Sequence, residues 1–403
     1  MGKEPERPTA APWAGPGTRI RDRSGAEQRE EQLASAEQQG TDLLAAAGIV
    51  VNGDRPHDLR VHDDRLWARV LRDRELGLGE AYQDGWWDAD RVDEFLVRVF
   101  TTDLRAAIRP GPSLVWNVLR GRLVNRQTTG RAARNARAHY DIGNDLYLRM
   151  LGDEMVYSCA HWRDADDLAS AQAAKLELIC RKLELEPGMR VLDIGCGWGA
   201  FARHAAANHG AHVTGISPAG EQVDEARRRA GDLPVEFHQQ DYRDVEGEFD
   251  RITSIGMMEH VGPRNFGTFF DRCRELLVPD GLMLHHTIGS NESKENTDAW
   301  FDRYIFPGGV VPSLHQIAGA SQPHWTVEDV QNLGPDYDRT LLAWHDNIEA
   351  LWHEIPDYDE RFRRTWRYYL LSSAASFRVR NLQLFQIVFR RTARVSPRYD
   401  AAR

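Results

Sequence analysis

The sequence predicts an α/β protein: a doubly wound, mostly parallel sheet preceded by a small and mainly helical N-terminal domain. Three observations predict it. From Tyr140 onward, apolar strand-like runs alternate with amphipathic helical runs, the pattern of a parallel sheet covered on both faces. A turn with three glycines in five positions, GCGWG (Gly195 to Gly199), comes directly after the first of those runs. Ahead of Tyr140, apolar residues recur at helical spacing with charges between them.

Residues 1–38 are rich in Pro, Gly, Arg, Glu and Gln and have almost no apolar periodicity, so they are expected to be a disordered tail. Residues 39–103 read as a small domain of helices and short strands. Leu66, Val70 and Leu71 share one helix face, and AYQDGWW (residues 81–87) is a turn carrying aromatic anchors. Residues 104–138 read as a basic linker or amphipathic helix. From Leu104 to Tyr140 there are eight arginines and no acidic residue, with Leu114, Trp116, Leu119 and Leu123 among Arg120, Arg122 and Arg126. Such a helix either packs on the main domain with its charges in water or meets an acidic partner or membrane surface.

Residues 139–393 carry the alternating pattern and form the main domain. Its strands are RVLDIGCG, HVTGIS, VEFHQQD, FDRITSIGM and GLMLHHTIG. The helices between them are AFARHAAANHG, GEQVDEARRRAG and a stretch from Phe269 to Leu277. Residues 394–403 are read as a C-terminal tail.

Bulk properties exclude several function classes. A net charge of −10 over 403 residues and a mean hydropathy of −0.56 describe a mildly acidic, water-compatible chain. A general nucleic-acid binder carries a basic field, so no nucleic-acid partner is expected. No apolar run is long enough to cross a bilayer, and the first residues lack both an apolar signal region and the serine or threonine of a myristoylation pattern. Four scattered cysteines, with no CxxC pair, suit a reduced cytoplasmic thiol state.

The glycine loop is the first chemical clue. A strand ending at Asp193, three glycines and a helix starting near Ala200 let the backbone approach a ligand closely. NAD, FAD and S-adenosylmethionine all use such loops. A dinucleotide site usually places an acidic residue at the end of the second strand, and Ser217 stands there. LDIGCG, with an acid immediately before the glycines, instead resembles motif I of S-adenosylmethionine-dependent methyltransferases. Asp241, at the end of a later strand, fits the position that commonly meets the adenine amino group in that superfamily.

The methyl acceptor has to come from other motifs. HYDIGNDLYLRMLGDEMVYSCAHW, SIGMMEHVG, HHTIG, WFDRYIFPGGVVPS, YDRTLLAWHDNI and SFRVRNLQLFQIVF occur in that order. Together with GEAYQDGWWD, they closely resemble cyclopropane-fatty-acyl-phospholipid synthases, relatives of the mycolic acid cyclopropane synthases, from about residue 40 to 390. The resemblance implies a methyltransferase fold and transfer of the methyl carbon of S-adenosylmethionine to an acyl-chain double bond, closing a cyclopropane with bicarbonate as base. It implies an unsaturated phospholipid partner, peripheral contact with the inner membrane face from the cytoplasm, and a homodimer.

Carried over residue by residue, the resemblance assigns the bicarbonate site to the backbones of Cys159 and Ile288 and the side chains of Glu259, His286 and Tyr337. The donor site would comprise Tyr157, Ser158, Asp193, Gly195, Cys196, Gly197, Trp198, Gly199, Ser217, Gln222, Asp241 and Tyr242. Trp300, Phe301, Tyr304 and Phe306 supply π faces for a cationic acyl chain. Many relatives carry a cysteine where this chain has Ser373, which puts a covalent thiolate step in doubt. Two other endings stay open: a methylene-forming C-methyltransferase on unsaturated acyl chains, and a small-molecule N- or C-methyltransferase. No metal is expected, because Glu259, His260, His285 and His286 lack HExxH or CxxC spacing.

Overall fold

A computed structural model describes residues 25–102, 143–322, 324–355, 358–392 and 397–403. The basic segment expected over 104–138 lies outside the described residues, as do residues 1–24.

The main sheet has seven strands: β3 (Arg190–Ile194), β4 (His212–Ser217), β5 (Val235–Gln239), β6 (Phe249–Ile255), β7 (Leu277–Ser290), β8 (Trp325–Asn332) and β9 (Leu382–Arg391). Their order is β5-β4-β3-β6-β7-β9-β8. The pairs from β5 to β7 are parallel, whereas β9 runs antiparallel to both β7 and β8. The chain starts at β3, moves outward through β4 and β5, and returns to the other side of β3 as β6. That reversal of strand order opens a crevice beyond the carboxyl ends of β3 and β6.

Strand alternation sets the two faces. Val191 joins one core with Phe201, Val213 and Leu284, while the next residue, Leu192, joins the other with Ile252, Phe269 and Phe270. Helix α5 (Leu168–Lys182) covers the first face beside α6 (Ala200–His209), and α9 (Phe266–Leu276) covers the second. Asp167 starts α5 with a capping box to Ser170. Between β4 and β5 runs α7 (Gly220–Ala230); α4 (Asn144–Leu151) precedes α5, and the single-turn α8 (Met258–Val261) comes after β6. Helix α11 (Leu314–Ser321) leads into β8.

The N-terminal part comprises α1 (Gly25–Ala46), β1 (Arg60–Val61), α2 (Arg65–Gln83), β2 (Trp87–Asp88) and α3 (Val92–Thr101). Here the structure corrects the expectation of disorder through residue 38, since α1 begins at Gly25. The reason is local: the segment lacks apolar periodicity but is dense in Ala, Glu, Gln and Leu, the better helix formers. AYQDGWW ends α2 and turns at Gly85 (φ +73°) into β2.

Among the described residues, this N-terminal part shares one core with the main domain. Trp87 meets both Tyr82 and Phe95 with tilted rings 4.9 Å apart, and Tyr82 meets Tyr368 of α13 (Glu360–Arg378) at 5.6 Å. The same core takes in Trp344 of α12 (Gly334–Leu351) and Trp300 of α10 (Ala299–Tyr304). The expected C-terminal tail is docked at its end: Tyr399 donates to the Lys182 carbonyl at 2.9 Å, and Arg403 holds Asp329 at 2.6 Å.

Candidate active site

Two cavities meet at the carboxyl end of the sheet. The smaller, of about 170 Å³, sits over the loop between β3 and α6. Gly195, Gly197 and Gly199 all adopt positive φ there. Asp193, Gly195, Cys196, Gly197 and Trp198 line it from below. Ser217 and Gln222 close one side, Asp241 and Tyr242 another, and Tyr157 with Ser158 forms a third. The two Asp241 carboxylate oxygens accept from Arg243 at 2.7 and 2.8 Å, which orients them.

Gly199 is the exception, for it does not line this cavity. A Cβ there would lie 2.5 Å from Cζ of Phe237, so this glycine lets α6 approach β5 closely.

Beneath the cavity Asp193 has a buried basic neighbour, Lys175, that motif reading missed. Asp193 is on the same strand face as Val191 and points toward α5, where Lys175 is 1% exposed. Burial pushes Asp193 up to about 7 against the pull of Lys175, and burial draws Lys175 down to about 8. Lys175 Nζ donates to Ser158 Oγ at 3.0 Å, and Gln172 Nε2 donates to the Ser158 carbonyl at 2.9 Å. Asp193 Oδ1 has no hydrogen-bond partner. The signal was present in the sequence: Lys175 stands four residues from both Ala171 and Ile179, in the middle of an apolar helix face.

The larger cavity, of about 700 Å³, lies between the sheet and the N-terminal helices. Leu66, Val70 and Leu71 of α2 form part of its wall, as do Trp300, Phe301 and Phe306. Tyr157, Ser158, Gly256 and His260 line both cavities. Tyr157 is fixed there by a 2.8 Å bond between its hydroxyl and that of Tyr369.

Glu259, His286, Ile288 and Tyr337 all line this larger cavity. Glu259 belongs to α8, just after β6. His286 lies within β7, opposite Ile255, because β9 extends the pairing of β7 beyond the end of β6. The Ile288 amide donates to Glu259 Oε1 at 2.6 Å, so in this structure that amide already serves the carboxyl group. Burial pushes Glu259 up to about 7 and holds His286 well below its ordinary value. Gln386 Nε2 donates to His286 Nδ1 at 3.2 Å, which leaves the ring proton on Nε2. Glu259 Oε2 and His286 Nε2 are both buried without a hydrogen-bond partner. The Tyr337 ring packs on Phe377 at 4.6 Å.

Two expected residues stand elsewhere. Cys159 lines neither cavity; it is fully buried behind the wall, its thiol donating to the Ala160 carbonyl at 3.2 Å. Tyr304 does not line the larger cavity, because its hydroxyl donates to Glu80 Oε1 of α2 at 2.9 Å. Both departures have one cause: the N-terminal helices and α12 cover surfaces that the motif alone leaves open. Ser373 does reach the larger cavity. Besides Lys175, motif reading did not single out His260 and Tyr369, which line the cavities, or Gln386, which holds His286.

Comparison with known proteins agrees with this geometry. Residues 127–387 match the family model for mycolic acid cyclopropane synthetase. The chain is 48% identical over 351 residues to a cyclopropane-fatty-acyl-phospholipid synthase of Escherichia coli strain K12, covering 87% of this chain and 92% of that protein. It is 32% identical to the tuberculostearic acid methyltransferase UfaA1 of Mycobacterium tuberculosis, covering 82% and 83%. Among solved structures, the cyclopropane synthase MmaA2 of Mycobacterium tuberculosis superposes with a TM-score of 0.60 at 31% identity, covering 64% of this chain and 98% of that one. The mycolic acid cyclopropane synthase CmaA1, solved with SAH and CTAB, gives the same score, identity and coverage. With its doubly wound sheet, its glycine loop and these relatives, the chain belongs to the mycolic acid cyclopropane synthetase family and is an S-adenosylmethionine-dependent methyltransferase.

Proposed function

We propose that this chain adds the methyl carbon of S-adenosylmethionine across the double bond of an unsaturated phospholipid acyl chain, closing a cyclopropane ring with bicarbonate as the base. The observation that carries the reading is the junction of the cavities at Tyr157, Ser158, Gly256 and His260. There a small glycine-floored cavity, with Asp193 and Asp241 in its lining, opens into a larger and mostly apolar one with room for an acyl chain.

The residues fit both small molecules. The turned glycines and the unpartnered Asp193 oxygen suit a ligand bearing a cationic amino group. The unpartnered Glu259 Oε2 and His286 Nε2, with Tyr337 in the same wall, suit a small hydrogen-bonding anion. When bound, S-adenosylmethionine supplies an electrophilic methyl carbon on a sulfonium.

A double bond needs no deprotonation before it acts as a nucleophile, so the protein's work lies in controlling the cation and its proton once the new bond has formed. The ring faces of Tyr157, Trp300, Phe301 and Phe306 stabilise positive charge on the chain. Apolar walls from α2 exclude the water that would give an alcohol. His286 Nε2–H and the Tyr337 hydroxyl hold the anion by donating to it. Glu259, in its carboxylate form, accepts a proton at Oε2.

The same reading has the protein working at the cytoplasmic face of a membrane, peripherally and as a homodimer. Among the described residues no helix is long and apolar enough to cross a membrane. Neutralising Arg120, Arg122 and Arg126 together is expected to weaken sedimentation with anionic liposomes at low salt, each residue being worth about 1 kcal/mol near such a surface. Unchanged sedimentation would remove that segment from the docking surface.

The test of function is incubation of the purified protein with S-adenosylmethionine and liposomes of mono-unsaturated phospholipid, and then mass spectrometry of the lipid. The acyl chains are expected to gain one CH2. No gain, with donor binding intact, would move the acceptor to a small molecule.

A further inference from the structure

Away from both cavities, on the outer side of the sheet, Cys180 of α5 and His204 and His209 of α6 converge. Their ligand atoms, one from each residue, all lie within 4.8 Å of one another. Glu177, one turn before Cys180, places Oε2 at 3.3 Å from His204 Nε2 and 3.0 Å from His209 Nε2. The four residues come from two helices, as Glu-x2-Cys and His-x4-His, spacings outside the usual short metal motifs.

We propose that Cys180, His204 and His209, with Glu177 as the fourth group, form a structural site for a zinc-class divalent cation. Thiolate, imidazole and carboxylate are the donor types that such an ion takes in tetrahedral sites. The charges balance, because one thiolate and one carboxylate neutralise a dication beside two neutral imidazoles. A tetrahedral zinc ion keeps its ligand atoms about 3.3–3.8 Å apart, so shifts of about 1 Å close the three, and Glu177, which stands outside that set of three, turns in from the histidine side to complete it. The histidines can make them: their side chains are 17% and 19% exposed, whereas Cys180 is fully buried at the floor. Binding replaces the thiol proton, which burial otherwise retains, with the metal, and that proton leaves to solvent.

The site would staple α5 to α6. The first carries Lys175 and Gln172 under the donor cavity, and the second starts at its glycine loop. The metal therefore acts on scaffold rigidity, through residues that line neither cavity.

The test uses the full chain without a histidine tag, stripped of metal and titrated with cobalt(II) as a spectroscopic stand-in. One tightly held cobalt per chain is expected, with the visible absorption of a tetrahedral ion and a thiolate charge-transfer band in the near ultraviolet. Cys180→Ser removes that band. His209→Gln, at the exposed end of α6, weakens binding at least tenfold while the fold is retained. Zinc raises the melting temperature of the unaltered protein but not of H209Q. Failure to retain cobalt, or a thiolate band that persists in C180S, overturns the assignment and leaves Glu177 simply paired with two histidines.

Discussion

The amide of Ile288 donates to Glu259 Oε1 at 2.6 Å, tying a carboxyl group just past β6 to the neighbouring strand β7. The bond fixes one oxygen and leaves the other buried without a hydrogen-bond partner. Glu259→Gln keeps the size of the side chain but removes the proton acceptor. Turnover is expected to fall by about 10²–10⁴, the usual share of a general acid–base group. Donor affinity, measured by calorimetry, stays within twofold. Turnover that survives in E259Q would take Glu259 out of proton transfer.

Glu259 and Asp193 also predict how stability varies with pH. Both sit near 7, against ordinary values of 4.5 and 3.8. The folded protein thus retains their protons at pH values where the unfolded chain has lost them. Their contribution is complete below those ordinary values and is lost as pH rises to about 7. For Glu259 this is on the order of 3 kcal/mol. Buried His285 and His286 act in the opposite sense below about 6.5, so the informative quantity is the difference between variants. In urea melts of ligand-free protein, E259Q is expected to gain on the unaltered chain between pH 4.5 and 7.5. A constant difference would contradict the burial account of this carboxyl.

Lys175 positions the segment shared by the two cavities. Lys175→Met removes the donor to Ser158 and the charge nearest Asp193. Donor affinity is expected to fall about tenfold, with a smaller change in kcat once the donor saturates. Lys175→Arg should not rescue, because the cavity under Ser158 is closed. Unaltered donor affinity in K175M would make Lys175 a purely structural ion.

Gly199→Ala meets two obstacles, a φ of +79° and a Cβ 2.5 Å from the Phe237 ring. A loss of about 2–4 kcal/mol is expected, measurable as a lower urea midpoint. Adding Phe237→Leu should return the steric part and leave the backbone part. A loss below about 0.5 kcal/mol would mean that α6 is free to move away from β5.

The sheet and its order of helices were legible because a buried parallel strand reads as an apolar run, and the helices between carry a clear polar face. Most residues that line the smaller cavity were legible as well, since a close-approach loop needs glycine. Gly199 shows the limit: the motif marks a glycine without telling ligand approach from helix packing. Tyr304 shows another, because its hydroxyl partner Glu80 is more than 200 residues away and shares no local pattern with it. Helix α1 was hidden for a different reason. Its helix formers carry too few apolar residues to produce a period, and Gly40 gives Trp67 the room to pack closely against it. The Cys180 cluster joins two helices that each hold only half of it.

Tyr304 and Phe306 separate wall from scaffold. Tyr304→Phe loses a bond to Glu80 worth about 1 kcal/mol and leaves kcat within twofold, since the ring does not reach the cavity. Phe306→Ala opens the cavity wall and should lower kcat at least tenfold. It should also let water intercept the cationic chain, giving a hydroxylated by-product visible by mass spectrometry. Equal effects from the two variants would undo the distinction between these residues.

The most direct measurement is carbon NMR of lipid treated with the protein and S-adenosylmethionine carrying a 13C-labelled methyl group. A labelled ring CH2 at high field, with loss of the olefinic signals, is the predicted result. Label in an exocyclic methylene or a branched methyl, with no ring signal, would contradict cyclopropane formation and place the final proton loss elsewhere on the chain.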